Sequence, residues 1–192
     1  MRINEIDNSD DILCKVQRYI RSGQAEINNG LIDVYGDFEF TRVAYKLPFK
    51  FGKVTGNFII GENKIETLEG CPYVVGENFD CGFNRLDSLI GGPTQVMGDY
   101  LALGNSLSSL DGLAKEIHGA IHLEYNENLP MLKLFFVKNL TGIMINTSDN
   151  SYKNKAMQLE AILTNYIGKG PGGALACAAE LIKARFNRNA RK

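Results

Sequence analysis

The sequence predicts an α+β fold dominated by β structure: a short solenoid of stacked repeats, closed by a helix at its N-terminal end and by a helical region at its C-terminal end. The first observation behind this is an interval. Asn63, Asn84, Asn105 and Asn126 stand 21 residues apart each time, and a spacing held three times over is a repeat. The second is that the same residue types recur at fixed offsets from these asparagines. Phe58, Phe79, Tyr100 and Ile121 lie five residues before them, and Ile60, Cys81, Ala102 and Leu123 three before. Ile65, Leu86 and Leu107 follow at plus two, Leu68, Leu89 and Leu110 at plus five, and Val75, Val96 and Ile117 at plus twelve. The third is a turn glycine at plus seven: Gly70, Gly91 and Gly112.

One such unit cannot bury its apolar residues alone, so units stack and each covers the apolar edge of the next. Apolar residues at minus five and minus three alternate as in a short strand with one face inward. The asparagine just beyond turns its amide inward to bond backbone groups left unpaired where the chain leaves the strand, and stacked asparagines form a ladder. A buried amide is costly unless its bonds are made, which accounts for the uniformity of this position.

The stretch Cys81 to Leu89 (CGFNRLDSL), with Gly91, Pro93 and Val96 after it, resembles the leucine-rich repeat family, whose units run to roughly 20–29 residues around L-x-x-L-x-L-x-x-N/C-x-L. It is similar in particular to the short repeats of bacterial and especially bacteriophage-encoded proteins, in which N-x-L-x-S-L-x-G-x-P recurs. The resemblance is strong from Gly56 to Leu132. Gly30 to Val54 forms a degenerate leading unit, with Phe38, Phe40, Leu47 and Val54 as its apolar positions. In the last unit Asn128 takes the plus-two leucine place, Lys133 that of the turn glycine and Lys138 the plus-twelve apolar place, so the regular coil is expected to end there.

In chain order, three regions are expected: an N-terminal helical cap over residues 1–29, the solenoid over 30–145, and a C-terminal helical hairpin with a basic tail over 146–192. Asn8-Ser9-Asp10 reads as a helix start, and Ile12, Leu13, Val16 and Ile20 make an apolar stripe that Gly23 ends. Such a helix is a natural lid for the open end of a solenoid. After the repeats, the apolar run from Leu132 to Ile145 covers the final coil. Two helices then follow, Asn154 to Ile167 with Met157, Ala161, Ile162 and Tyr166 near one face, and Gly173 to Phe186 with Ala174, Cys177, Ala178, Leu181 and Ile182 on another. Gly168 to Gly173 joins them as a turn.

Composition and motifs exclude several functions. With 44% hydrophobic and 22% charged residues the chain resembles an ordinary soluble protein able to bury a core. An acidic, polar opening and the absence of any bilayer-length apolar run point to a cytoplasmic setting. Cys14, Cys71, Cys81 and Cys177 lack C-x-x-C spacing and are read as reduced core residues. Gly168 to Gly173 spells G-x-G-x-x-G, but such a loop binds nucleotide phosphate only after a strand, and here a helix precedes it. His118 and His122 have ligand spacing for a helix, yet fall in a repeat where four residues do not share a turn. No catalytic constellation and no metal or cofactor site is expected. Charge is uneven: residues 1–150 carry 13 Lys/Arg against 20 Asp/Glu, and 151–192 carry 8 against 2. Lys183, Arg185, Arg188, Arg191 and Lys192 are read as cations suited to a helix C-terminus followed by a solvated end, rather than as a nucleic-acid grip.

The expected working surface follows from the strand alternation. With minus five and minus three inward, the outward positions include Ile59 and Glu62, Asp80 and Phe83, Asp99, Leu101 and Leu103, then His122, Glu124 and Tyr125. Ile59, Phe83, Leu101, Leu103 and Tyr125 form an apolar patch rimmed by Glu62, Asp80, Asp99 and Glu124, the composition of a protein-binding anchor within a polar rim. The chain is thus read as a protein-binding module using a concave strand face. The resemblance implies a phage protein that engages a bacterial host factor, inhibiting a defence system in the host cytoplasm. The alternatives are an anion- or nucleotide-binding protein or enzyme using Gly168 to Gly173, and a nucleic-acid binder using the basic C-terminus.

Overall fold

The structure is a computed structural model and describes residues 8–191; the acidic opening, residues 1–7, and the terminal cation Lys192 lie outside the described residues. The chain is a β-rich solenoid with a helix before it and helices after it. Each regular coil contributes one short strand to each of two sheets, and successive coils pair in parallel. The first sheet has the order β1 (Gln24–Asn28), β2 (Leu31–Tyr35), β4 (Phe51–Val54), β6 (Val74–Val75), β8 (Gln95–Val96) and β10 (Glu116–Ile117). The second runs from β3 (Phe38–Glu39) through β5 (Phe58–Ile59), β7 (Phe79–Asp80), β9 (Tyr100–Leu101) and β11 (Ala120–Glu124) to β12 (Gly142–Asn146). The plus-twelve residues Val75, Val96 and Ile117 are therefore strand residues of a sheet in their own right.

Equivalent residues stack because the register is that of the repeat. Phe38 pairs with Phe58, Phe58 with Phe79, Phe79 with Tyr100, Tyr100 with Ile121 and Ile121 with Ile143. All point inward. The Phe38 and Phe58 rings stack at 5.0 Å between centroids, Phe58 and Phe79 at 6.1 Å, and Phe79 meets Tyr100 edge-on at 4.8 Å. The plus-two and plus-five rows, Ile65, Leu86 and Leu107 with Leu68, Leu89 and Leu110, are buried opposite. The turn glycines hold φ of +95°, +88° and +84° at Gly70, Gly91 and Gly112. Beyond this left-handed backbone, a Cβ at Gly91 would stand 2.7 Å from the Glu69 nitrogen of the coil below.

The asparagines tie each coil to its predecessor. The Asn84 amide donates to the carbonyls of Cys81 (3.1 Å) and Gly82 (3.2 Å) in its own coil and of Ile60 (2.9 Å) in the one below, while its oxygen accepts from Ile65 N–H at 2.9 Å. Asn105 repeats this with Ala102, Leu103, Cys81 and the Leu86 N–H, and Asn63 donates to Phe40, Ile60 and Gly61. Asn126 leaves the ladder, donating to Leu107 O at 2.7 Å and accepting from Asn128 N–H. Its unit is the one in which the leucine, glycine and plus-twelve positions are replaced.

At the N-terminal end α1 (Asn8–Gln17) packs on β1 with Val16 fully buried. β1 and β2 form an antiparallel hairpin turned by Asn29 (φ +52°) and Gly30 (φ +77°), a pairing that favours the two-residue turn matching strand twist. The division drawn after residue 29 falls inside that turn. Ile20 bridges Phe38 at the edge of the second sheet instead of extending the helix.

Past the last ladder asparagine the chain makes one further, irregular coil. Met131–Phe136 form a 3-10 helix that buries Met131, Leu132, Leu134 and Phe135; Lys138 bridges Glu116 of the first sheet, and β12 pairs in parallel with β11. The regular repeat gives way here to one irregular turn, because this apolar run supplies inward residues without the repeat's consensus. α2 (Lys153–Thr164) packs on β12, and Glu160 accepts the edge N–H of Ile145 at 2.6 Å. α3 (Gly170–Lys183) packs on the 3-10 helix. The buried face of α2 is Ala156, Leu159, Ile162 and Leu163, whereas Met157 and Ala161 face solvent. On α3, Ala174, Cys177 and Leu181 are buried and Ile182 is exposed. Gly170 to Gly173 belong to the first turn of α3, where a proline is tolerated because its missing N–H would be unbonded anyway.

One cysteine assignment is corrected. Cys71, Cys81 and Cys177 are buried, but Cys14 stands on the solvent side of α1. Burial pushes the Cys177 thiol up to about 11 and raises those of Cys71 and Cys81 as well. A thiol-reactive chromophore should therefore modify one thiol per folded chain rapidly, and all four only in denaturant. Rapid modification of more than one would show an opened core.

Candidate protein-binding face

The alternation that sends Phe38, Phe58, Phe79, Tyr100, Ile121 and Ile143 inward sends their neighbours outward. Glu39, Ile59, Asp80, Leu101, His122 and Met144 form one row across all six strands of the second sheet. Tyr100 and Ala102 are fully buried on either side of Leu101, so the alternation continues unbroken through β9. Ile59, Asp80, Leu101 and His122 lie within this row, half-buried. Met144, 44% exposed, belongs to it as well; the alternation in GIMIN carries that signal, but Met144 lies beyond the last asparagine from which the outward positions are counted.

Phe83 stands out beside the row. It lies at minus one, between Gly82 and the ladder residue Asn84, with φ +52° and 62% of its surface exposed. Glu62 and Gly104 occupy the same place in adjacent coils with φ +56° and +62°, so the turn into the asparagine requires left-handed backbone. Glycine meets that requirement without strain; a phenylalanine there is uncommon. The Phe83 ring lies over Gly104, where a Cβ would come within 2.5 Å of it. Leu103, half-buried, accepts the Phe83 N–H at 2.7 Å.

The acidic residues have distinct surroundings. Burial pushes the Asp80 carboxyl up, with the Glu62 carboxylate adding to the effect, against a 2.8 Å hydrogen bond from Gly82 N–H. Among the described residues neither Asp80 nor Glu62 has a lysine or arginine partner. Asp99 belongs to a second ladder, which the outward direction of its residues does not disclose. At the strand entrances the side-chain oxygens of Asp37, Asn57, Asn78 and Asp99 accept in turn from the N–H of Asn57 (2.8 Å), Asn78 (3.1 Å), Asp99 (2.8 Å) and Ala120 (2.8 Å). The spacing of Asn57, Asn78 and Asp99 carries that signal. The other Asp99 oxygen lies 3.9 Å from His122 Nε2.

The far edge of the expected patch is engaged by the C-terminal region. Glu124 accepts from the N–H and hydroxyl of Ser148, and Tyr125 stacks on Tyr152 at 5.4 Å between centroids. Ile59, Glu62, Asp80, Phe83, Leu101, Leu103 and His122 remain as the face, with Asp99 at its border. The other motifs have local structural partners. His118 bonds Glu116 at 2.7 Å and lies near Asn139. At the basic end the cations Lys183, Arg185, Arg188 and Arg191 are exposed, while the chain between them is docked: Phe186 and Asn189 are buried, Asn189 donates to the carbonyls of Asn126 and Leu129 at 2.9 Å, and Arg188 bonds Asn128. Gly168 lies between α2 and α3 and Gly170 to Gly173 lie in the first turn of α3, and no helix among the described residues is long and apolar enough to cross a membrane. No protein-family model matches this chain, and no curated protein or solved structure is significantly similar to it.

Proposed function

We propose that this chain is a protein-binding module that holds a partner on the outer face of its second sheet, with Phe83 as the central anchor and Ile59, Leu101 and Leu103 around it. The observation that carries this reading is Phe83 itself. A large aromatic side chain is held in solvent, on left-handed backbone, at a place where the next coil has glycine. Strain of this kind persists where something other than stability maintains it. The carboxylates of Glu62 and Asp80, without cationic partners among the described residues, suit a partner that brings Lys or Arg beside an apolar segment. The repeat's similarity to bacteriophage leucine-rich repeats supports a finer reading: a phage protein acting in the host cytoplasm on a bacterial factor, with inhibition of a defence system as the effect.

Capture from bacterial lysate, read by mass spectrometry, tests the surface. Phe83→Ala and Leu101→Asp should each reduce the captured partner at least tenfold while keeping the wild-type circular dichroism, since central aromatic anchors carry about 2 kcal/mol or more. Equal capture by both variants would place the partner elsewhere.

A further inference from the structure

At the opposite end from the C-terminal helices, between α1, the β1–β2 hairpin and the first coil, lies a cavity of about 820 Å³ that the binding face does not use. Its wall is largely apolar, with Ile12, Ile27, Ile32, Phe40 and Phe49 among the lining residues beside Ser9 and Tyr19. Four exposed cations also line it, Lys15, Arg18, Arg42 and Lys50, and among the described lining residues there is no aspartate or glutamate. Lys15 is paired with Asp11, and Lys50 lies 4.0 Å from Glu69. Arg18 and Arg42 are in no ion pair among the described residues.

A volume of this size, largely apolar with a few charged groups in its lining, is that of a small-molecule site. The charge decides which molecule. Two guanidiniums outside any ion pair of the described residues select an anion, and a carboxylate is one of the groups their forked donors match. The described lining holds no asparagine, glutamine or carboxylate to read the edge of a nucleobase, so the remainder of the ligand is hydrocarbon. We propose that the cavity binds a single-chain carboxylate amphiphile of the fatty-acid type. The tail lies against Ile27, Ile32, Phe40 and Phe49, and the carboxylate sits at Arg18 and Arg42.

The test uses the full chain and a dansyl-labelled fatty acid, followed by fluorescence and displaced by laurate, lauryl alcohol or dodecyltrimethylammonium. Probe emission should rise on binding, and laurate should displace it about tenfold more effectively than the alcohol or the cation, the difference a charge-assisted bidentate contact provides. The double variant Arg18→Glu with Arg42→Glu should bind laurate at least about tenfold more weakly at an unchanged melting temperature. If that variant does not fold, Arg18→Gln with Arg42→Gln serves in its place. Ile27→Trp, which narrows the cavity along the tail, should weaken binding of the probe. No emission change with the wild-type chain, equal displacement by all three competitors, or full binding by the charge variant or by Ile27→Trp would each overturn the proposal.

Discussion

Phe58→Ala should be the most damaging single change in the solenoid, costing about 3–5 kcal/mol, the range for truncating a buried phenylalanine. Phe58 is fully buried and touches three other rings: Phe38 at 5.0 Å, Phe51 at 5.1 Å and Phe79 at 6.1 Å between centroids. The cavity would open between two coils rather than at an end, and neighbouring coils cannot close it without breaking the parallel register on both sides. Denaturant unfolding followed by circular dichroism measures the loss of stability. A cost under about 1 kcal/mol would mean that the aromatic row is not the stacked core described here.

Asn84→Leu should destabilise by about 1–3 kcal/mol even though it adds apolar surface to a buried site. Leucine can neither accept the Ile65 N–H nor donate to the Ile60, Cys81 and Gly82 carbonyls, so the buried Ile65 N–H is left without its partner and the carbonyls keep only their second donors, Asn63, Asn105 and the Glu62 N–H. Asn126→Leu is the internal control. Asn126 has left the ladder, so its replacement should cost less than about 1 kcal/mol. For a chain of this size each kcal/mol moves the melting temperature by about 2–4 °C. An Asn84→Leu chain as stable as wild type, or one no worse than Asn126→Leu, would refute the ladder.

The repeat interval makes most of the solenoid legible in the sequence, because a fixed period forces equivalent residues to stack. What escapes are features the period does not encode. The first sheet escapes because strands such as Val74–Val75, Gln95–Val96 and Glu116–Ile117 show one recurring apolar position, at plus twelve, with no alternation around it. The Asn29-Gly30 turn carries a hairpin signal in two adjacent letters, but it precedes the regular repeats and has no counterpart in them. The left-handed backbone at minus one is hidden because Glu62, Phe83 and Gly104 share no side-chain chemistry, only a φ. The Asp37–Asn57–Asn78–Asp99 ladder is legible in spacing, but an outward direction alone does not distinguish a ladder residue from a rim residue. On the candidate face, alternation suffices for Ile59, Asp80, Leu101 and His122. For Glu124 alternation gives the outward direction, but the surroundings of Glu124 and Tyr125 are set by Ser148 and Tyr152, residues outside the repeat.

If the outer face of the second sheet is kept for binding at some cost in stability, Phe83→Asn measures both quantities in one variant. Asparagine adopts left-handed backbone readily, so relief of the strain at φ +52°, offset in part by giving up the ring packing over Gly104, should raise stability by about 1 kcal/mol. The same change removes the anchor. A higher melting temperature together with failure to capture the partner is the predicted result; a folded Phe83→Asn chain that captures its partner as well as wild type would contradict it.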